Sequence, residues 1–176
     1  MLETDFDTSE GSIRLVDFMP PRDDAPDVVR LVEGLHGSVR VRMELTLRCD
    51  YGRIRPWLRR IDGAHAAIAD CVWLRTPVDT REEDFALRAD FVITAGERVP
   101  FVLTWHPSHE PSPAPVDPLR ALADTEAFWT DCVSSCACTG EWREAVVRSL
   151  LTLEPLETAM SGFVHLASPL RSVPWA

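Results

Sequence analysis

Apolar and polar side chains alternate one by one from Val39 to Arg48, and this pattern restricts the fold more than any other feature of the chain. Successive side chains of a β-strand point to opposite faces, so a period of two predicts a half-buried strand. The alternation returns from Phe85 to Ile93 and from Val99 to Trp105. Gly96 separates these two runs and predicts a hairpin turn over residues 95–97.

Shorter apolar runs separated by turn residues complete the first hundred residues. The runs are Ile13–Met19, Val28–Leu35, Ile54–Ile61, Ala64–Ile68 and Val72–Arg75, with turns at Gly11, Asp23-Asp24, Gly37, Asp50–Gly52 and Asp62-Gly63. Strands with one apolar face each bury those faces by packing two sheets together. The sequence therefore predicts an antiparallel β-sandwich, with the odd-numbered residues from Val39 to Leu47 between its sheets.

The pattern changes from strand to helix after Trp105. Closely spaced prolines between His106 and Val116 lack amide donors and favour an extended linker over residues 106–116. Asp117 offers an N-cap with Pro118 at the first helical position, which predicts a helix ending near Cys136. Thr139 offers the cap of a second helix that ends near residue 153. We therefore expect a mainly β fold: a partial β-sandwich domain over 1–105, an α-helical hairpin over 117–153 and an irregular tail over 154–176.

The charge balance narrows the classes of partner. The 176 residues hold 28 acidic and 18 basic side chains, a net charge of −10, which repels nucleic acid and anionic membranes. Every basic residue is Arg, so a Schiff-base lysine is excluded. The first residues are acidic, unlike a signal peptide, and the five cysteines are an odd number, so we expect a cytoplasmic protein with free thiols.

Several ordered motifs resemble one known family. They are Val16–Pro20, Val29–Gly34, Arg42–Leu45, Asp50–Ile54 and Phe101–His109, followed by Thr125–Trp129, Thr139–Arg143 and Val147–Leu151. Together they resemble the N-terminal, trehalase-like domain of bacterial glycoside hydrolase family 15 proteins, the glucoamylase and trehalase-like group. The resemblance implies a β-sandwich that leads into an (α/α)6 barrel.

The resemblance also implies a reaction. In that family two barrel carboxylates carry out inverting hydrolysis of α-glucosidic bonds in trehalose or α-glucans, without a cofactor. Neither matching motif occurs in this sequence, so no catalytic residue is carried over. We expect a fragment truncated at both ends, consisting of the accessory sandwich and the first helical hairpin of the barrel, and inactive alone. A split enzyme, with the rest of its barrel on separate chains, is a further possibility.

Other clusters of reactive side chains have simpler interpretations. Glu141 and Glu144 fit an exposed first helical turn, and Glu82–Asp84 fits a solvated charge run. His106 and His109 lack further ligands nearby, and Cys132, Cys136 and Cys138 lack the paired spacing of a zinc site. We therefore predict no metal site.

The tryptophans are the remaining candidates for binding. Trp57, Trp73 and Trp105 could stack on sugar rings, because an aromatic face complements the C–H patches of a sugar. Trp105, Trp129 and Trp142 are the candidates for a contact between sandwich and helices. The alternative function is thus a stand-alone carbohydrate-binding or interaction module. We also expect self-association through exposed strand edges and helix faces.

Overall fold

The computed structural model describes residues 1–21, 25–48, 53, 55–61, 64–68, 72–106, 112–136, 139–149 and 151. The chain divides into two compact units, Met1–Leu122 and Ala123–Ala176. The described residues are mainly β, as expected, and every strand pairing is antiparallel. The predicted tail over 154–176 lies outside the described residues.

The described part of the first unit contains nine strands. They are β1 (Leu2–Asp7), β2 (Gly11–Phe18), β3 (Asp27–Leu45), β4 (Trp57–Ile61), β5 (Ala64–Ile68), β6 (Val72–Arg75), β7 (Arg81–Glu83), β8 (Ala86–Thr94) and β9 (Arg98–Trp105). The main path of the sheet is β1-β2-β3-β9-β6-β5-β4, and β8 pairs with both β3 and β7. The long strand β3 is therefore shared: residues 27–37 pair with β2 or β9, and residues 38–45 pair with β8.

The predicted turn at Gly37 is wrong, because β3 runs through it as one strand of 19 residues. Gly37 has a φ of +67°, and the register against β2 shifts between Ser12 and Ile13. A left-handed residue beside a bulge bends a strand without ending its pairing. The sheet therefore turns a corner at Gly37. In the sequence this corner resembles a turn that ends the strand.

The predicted hairpin between β8 and β9 is also wrong, because both strands pair with β3, one after the other along its length. Residues 95–97 cross the corner beside β3. The Gly34 amide donates to the Glu97 carbonyl at 3.0 Å, and the Gly96 amide donates to the Gly34 carbonyl at 2.8 Å. A tight turn at Gly96 is thus present, but it carries the chain around the corner and does not reverse it.

One apolar cluster contains side chains from both sides of the corner, that is, from β8 and from strands of the main path. We call it the inner core. Its buried members are Ile13, Val32, Val39, Leu74, Leu87, Ile93 and Phe101. Val41, Met43 and Leu45 pack against it, which confirms the inward face predicted from the alternation in β3. Leu87, Ala89 and Ile93 of β8 are buried as the same pattern predicts.

The expectation of one apolar face per strand is wrong for the central strands. A second cluster lies on the other face of the sheet and contains Val16, Phe18, Val29, Leu31 and Val102. Ala121 and Leu122 belong to it through the helix α1 (Pro118–Ser135). A strand that is covered on both faces has adjacent buried apolar residues, as Leu31 and Val32 show in β3.

The start of α1 agrees with the sequence, whereas the second helix begins later than its predicted cap. Asp117 Oδ1 accepts from the amides of Leu119 at 3.0 Å and Arg120 at 3.2 Å, which confirms the N-cap. The next helical residues are 143–149. Gly140 has a φ of +107°, so residues before 143 form a turn instead of continuing from Thr139.

Two edge strands and one turn were missed. All six residues of β1 are exposed. Because no face of this strand is buried, its sequence has no alternation of apolar and polar residues that would predict a strand. Ion pairs hold β1 to its neighbour: Arg14 lies 2.7 Å from Asp5 and 3.2 Å from Glu3. β7 is exposed as well, and Phe85, predicted to begin the inward face of β8, lies instead in the turn between them with a φ of +60°.

Candidate functional site

The strands β4, β5 and β6 present one face away from the inner core, and we call it the outer face. Leu58 and Leu74 pack into the inner core. Their neighbours along the strands, Trp57, Arg59 and Trp73, therefore point to the opposite side, because successive side chains alternate. Arg59 pairs with Ala66 and Ala66 pairs with Trp73, so Arg59 and Trp73 lie on one row across three strands.

The structure separates the three tryptophans proposed for sugar stacking. Trp57 lies on the outer face and is 72% exposed. Trp73 shares that face and is half-buried, with the guanidinium carbon of Arg75 5.5 Å from its ring centroid. Trp105 pairs with Val72 and therefore lies on the side of the inner core. Two of the three candidates thus share one face.

A cleft of about 600 Å³ opens on the same side of the sheet. Ala64, Arg75 and Val102 line its sheet side, and Pro113, Pro115 and Pro118 line its other side. Arg75 Nη2 donates to the Pro113 carbonyl at 2.7 Å, and Pro113 is buried. The end of the proline-rich segment is therefore fixed against the sheet and forms one wall of the cleft.

Asp27 and Thr104 form a buried polar pair beside this site. Thr104 Oγ1 donates to Asp27 Oδ1 at 2.5 Å, and the two residues are 0% and 1% exposed, respectively. Thr104 pairs with both Asp27 and Trp73, so the pair lies on the row that carries Trp73. A carboxylate that is enclosed in this way cannot reach a substrate, and we assign it a role in holding β3 to β9.

His65 on β5 is a half-buried titratable group near the same strands. Its Nε2 lies 2.5 Å from Thr80 Oγ1. Burial, and then the positive charge of Arg60, lower the pKa of His65 below its ordinary value, so the ring is neutral at pH 7. Leu74 is its partner on β6, which places His65 on the inner side, opposite to Trp57 and Trp73.

Three exposed carboxylates of β3, β7 and β8, those of Glu44, Glu83 and Asp90, are held by arginines. Asp90 lies 2.9 Å from Arg42 and 2.6 Å from Arg81, and these two hydrogen bonds lower the pKa of Asp90 to about 2. Within the predicted charge run, Glu83 lies 2.8 Å from Arg88, which also lowers its pKa. A carboxyl group with a lowered pKa stays ionised at pH 7 and cannot act as a general acid.

The remaining sequence candidates are dispersed. Glu141 and Glu144 are exposed, as predicted. His106 is buried, whereas His109 lies outside the described residues. Cys132 and Cys136 are half-buried free thiols, and Cys138 also falls outside the description. No group of three or more possible metal ligands occurs in the described ranges.

The tryptophans proposed for a contact between sandwich and helices belong to different units. Trp105 lies in the unit Met1–Leu122, and Trp129 and Trp142 lie in Ala123–Ala176. Trp129 packs edge to face against Phe128, with ring centroids 5.0 Å apart. Trp142 is 70% exposed. Their shared contact stays a prediction.

The sequence around Trp57 has a local excess of arginine that the net charge of the whole chain conceals. Residues 48–61 contain five arginines and one aspartate, a local net charge of +4 in a chain whose total is −10. The described side chains of Arg55, Arg59 and Arg60 are all exposed. A count of charge in short windows along the chain would have revealed this segment.

Comparisons with known proteins identify no relative: no family model, no curated protein and no solved structure matches this chain. In the part of the chain that the structure describes, no helix has both the length and the apolar character needed to cross a bilayer.

Proposed function

We propose that this chain is the accessory β part of a protein similar to glycoside hydrolase family 15, with the first helices of its barrel. The parent reaction would be the inverting hydrolysis of α-glucosidic bonds in trehalose or α-glucans. The observation that carries the proposal is the order of the elements: an antiparallel sheet, a proline-rich segment and then the capped helix α1. This order agrees with the architecture that the resemblance implies.

Two features support the finer fold in this proposal. The inner core collects side chains from both parts of the sheet that meet at the corner, as an incomplete β-sandwich requires. The second unit contains residues 123–135 of α1 and the helical residues 143–149, which we interpret as the first helical pair of an (α/α)6 barrel.

The chain is expected to be inactive by itself. Inverting hydrolysis needs one protonated and one ionised carboxyl group about 6.5–9.5 Å apart. On the described strands, Asp90 and Glu83 are held ionised by arginines, and Asp27 is enclosed. No cofactor is required by this reaction.

The test compares the chain with a joined protein. We would determine the DNA sequence on both sides of the reading frame, join any barrel continuation to the chain, and measure glucose release from trehalose and maltose. The joined protein should release glucose, and the chain alone should not. Glucose release by the chain alone, or flanking DNA without a barrel, would contradict the proposal.

The exposure of Trp57 favours a second candidate, a stand-alone carbohydrate-binding module. An indole that is 72% exposed on a strand offers its ring to a sugar at little cost in desolvation. Titration with trehalose, maltose and maltoheptaose, followed by tryptophan fluorescence, tests this candidate. Binding should be lost in Trp57→Ala and retained in Trp105→Ala, which lies on the other face. Equal loss in both variants would argue against the module.

Self-association through strand edges also belongs to this proposal. β1 and β4 are the ends of the main strand order, and they expose Leu2, Phe6, Trp57 and Ile61. Sheet edges with exposed apolar side chains pair readily with other chains. Sedimentation velocity at increasing concentration should show dimers or larger species. A monomer that stays monodisperse and unfolds cooperatively would contradict this expectation.

Because Cys132 and Cys136 are free thiols, we also propose a cytoplasmic location.

A further inference from the structure

The arginines of β4 differ from most other strand arginines in what surrounds them. Arg14, Arg30, Arg42, Arg81, Arg88 and Arg98 each lie within ion-pair distance of a carboxylate. Arg59 and Arg60 are exposed and take part in no ion pair with the other described residues. Positive charge that no described carboxylate neutralises is available to a ligand.

The exposed tryptophan of the chain's basic segment lies beside this charge. Trp57 and Arg59 are two residues apart on one strand, so their side chains leave the outer face about 7 Å from each other. Arg59 is not needed to fill the core, since Leu58 packs inward between them. An indole ring and a guanidinium at this spacing match a ring-shaped ligand that carries an anionic group.

We propose that the outer face binds a saccharide bearing a phosphate or carboxylate group, with its ring on Trp57 and its anion on Arg59. This inference rests on the second candidate function and adds the charge class of its ligand. A guanidinium forms paired hydrogen bonds with either anion, so the two groups share one recognition chemistry.

The outer face carries a second aromatic and cationic pair, Trp73 and Arg75. Arg59 and Trp73 lie on one row with a single strand between them, about 10 Å apart, since neighbouring strands are about 4.8 Å from each other. Arg75 follows Trp73 on β6 and lines the cleft. Arg59, Trp73 and the cleft therefore lie on the same side of the sheet.

The charge of the whole chain argues for a small ligand over a polymer of phosphates. An extended polyanion is longer than the local +4 segment, so it would also lie against the rest of the chain, whose net charge is negative. That negative charge repels it. A saccharide with one or two charges fits within that segment, because exposed charges farther away than about 8 Å are largely screened at physiological salt.

Edge protection is the competing explanation for these arginines. Charged side chains on an edge strand prevent pairing with other chains, and β4 is at the end of the strand order. In that case Arg59→Gln would increase aggregation and leave ligand binding unchanged. The two explanations therefore predict different results for the same variant.

The test uses the full chain and a matched set of ligands: glucose, glucose 6-phosphate and glucuronate, with inorganic phosphate as a further probe. Binding is followed at 50 mM salt by the NMR shifts of the indole groups. We expect glucose 6-phosphate, glucuronate or both to bind about tenfold more tightly than glucose, since a charge-assisted hydrogen bond provides about this factor. The phosphate and carboxylate arms identify which anion is preferred.

Three variants complete the test. Arg59→Gln should reduce the preference for the anionic sugar to less than about threefold, and Trp57→Ala should weaken binding of every sugar. Arg40→Gln is the control, because Arg40 is an exposed arginine on β3, outside the basic segment. All three positions are exposed, so the fold should be retained.

Several outcomes would overturn the inference. They are equal affinity for glucose and glucose 6-phosphate, binding of inorganic phosphate that is as tight and independent of Trp57, and an equal loss in the control variant. Tighter binding to anionic vesicles or single-stranded DNA that also depends on Arg59 would assign the face to another class of partner. Maltoheptaose binding that survives in Arg59→Gln would leave the second candidate function standing without this inference.

Discussion

Gly34→Ala should destabilise the chain severely, because it adds a methyl group at the corner of the sheet. A Cβ atom built on Gly34 would lie 2.0 Å from the carbonyl oxygen of Thr94, where ordinary contact is 3.4–4 Å. The position of a Cβ atom is fixed by its own backbone and the Thr94 oxygen belongs to the other backbone, so no side-chain rotation relieves the clash. The turn over residues 95–97 must then move away from β3 by about 1.4 Å, the difference between 3.4 and 2.0 Å.

A movement of this size breaks two hydrogen bonds of the corner. These join Gly34 to Glu97 at 3.0 Å and to Gly96 at 2.8 Å. Gly34 is buried, and each buried group left without a partner costs about 1–3 kcal/mol, so we expect a loss of about 4 kcal/mol. Domains unfold with about 5–15 kcal/mol, so the variant should be close to unfolding.

Gly96→Ala is the matched control in the same corner. Gly96 has a φ of +85°, and a Cβ added there meets nothing within 4 Å. Its cost is therefore only that of a left-handed backbone, about 1–2 kcal/mol. Urea unfolding followed by circular dichroism measures both variants. If Gly34→Ala loses no more stability than Gly96→Ala, the corner geometry is incorrect.

Three further perturbations test separate parts of the fold. Thr104→Val removes one donor to the enclosed carboxylate of Asp27 and should lower the free energy of unfolding by about 1.5–3 kcal/mol in urea titrations. Phe85→Gly relieves a positive φ in the turn before β8 and should raise the free energy of unfolding by about 0.5–1 kcal/mol, which is measured as a higher urea midpoint. Asp90 has a folded pKa of about 2 against an ordinary 3.8, so its contribution to stability is present above pH 3.8 and is lost as pH falls toward 2. NMR titration should give that pKa, and Asp90→Asn should flatten the acid limb of the stability curve.

Local patterns predicted the strands well and their pairing poorly. The alternation in β3 identified its inward face because burial on one side leaves a period of two in the sequence. The same reasoning placed a turn at Gly37 and a hairpin at Gly96. A glycine that bends a paired strand and a glycine that ends it have the same local sequence, and only the partner strand distinguishes them.

Edge strands escaped prediction for a different reason. β1 and β7 bury no side chain, and hydrogen bonds and ion pairs with a neighbour hold them in place. A method that looks for apolar periodicity has no signal from such strands. The N-cap at Asp117 could be predicted because a cap depends on residues within one helical turn.

The candidate site shows the same limit more sharply, because composition suggests tryptophans as candidates and only the strand pairing separates them by face. Trp73 and Trp105 both lie in apolar strands, and nothing in their immediate sequence separates them. Trp73 pairs with Thr104 on the outer face, whereas Trp105 pairs with Val72 on the inner side. One step of register reverses the face of every side chain in a strand. The proposed binding face of Trp57, Arg59 and Trp73 therefore depends on the register of β4, β5 and β6. If the proposal is correct, a change that shifts this register should abolish sugar binding even though each of these residues is retained.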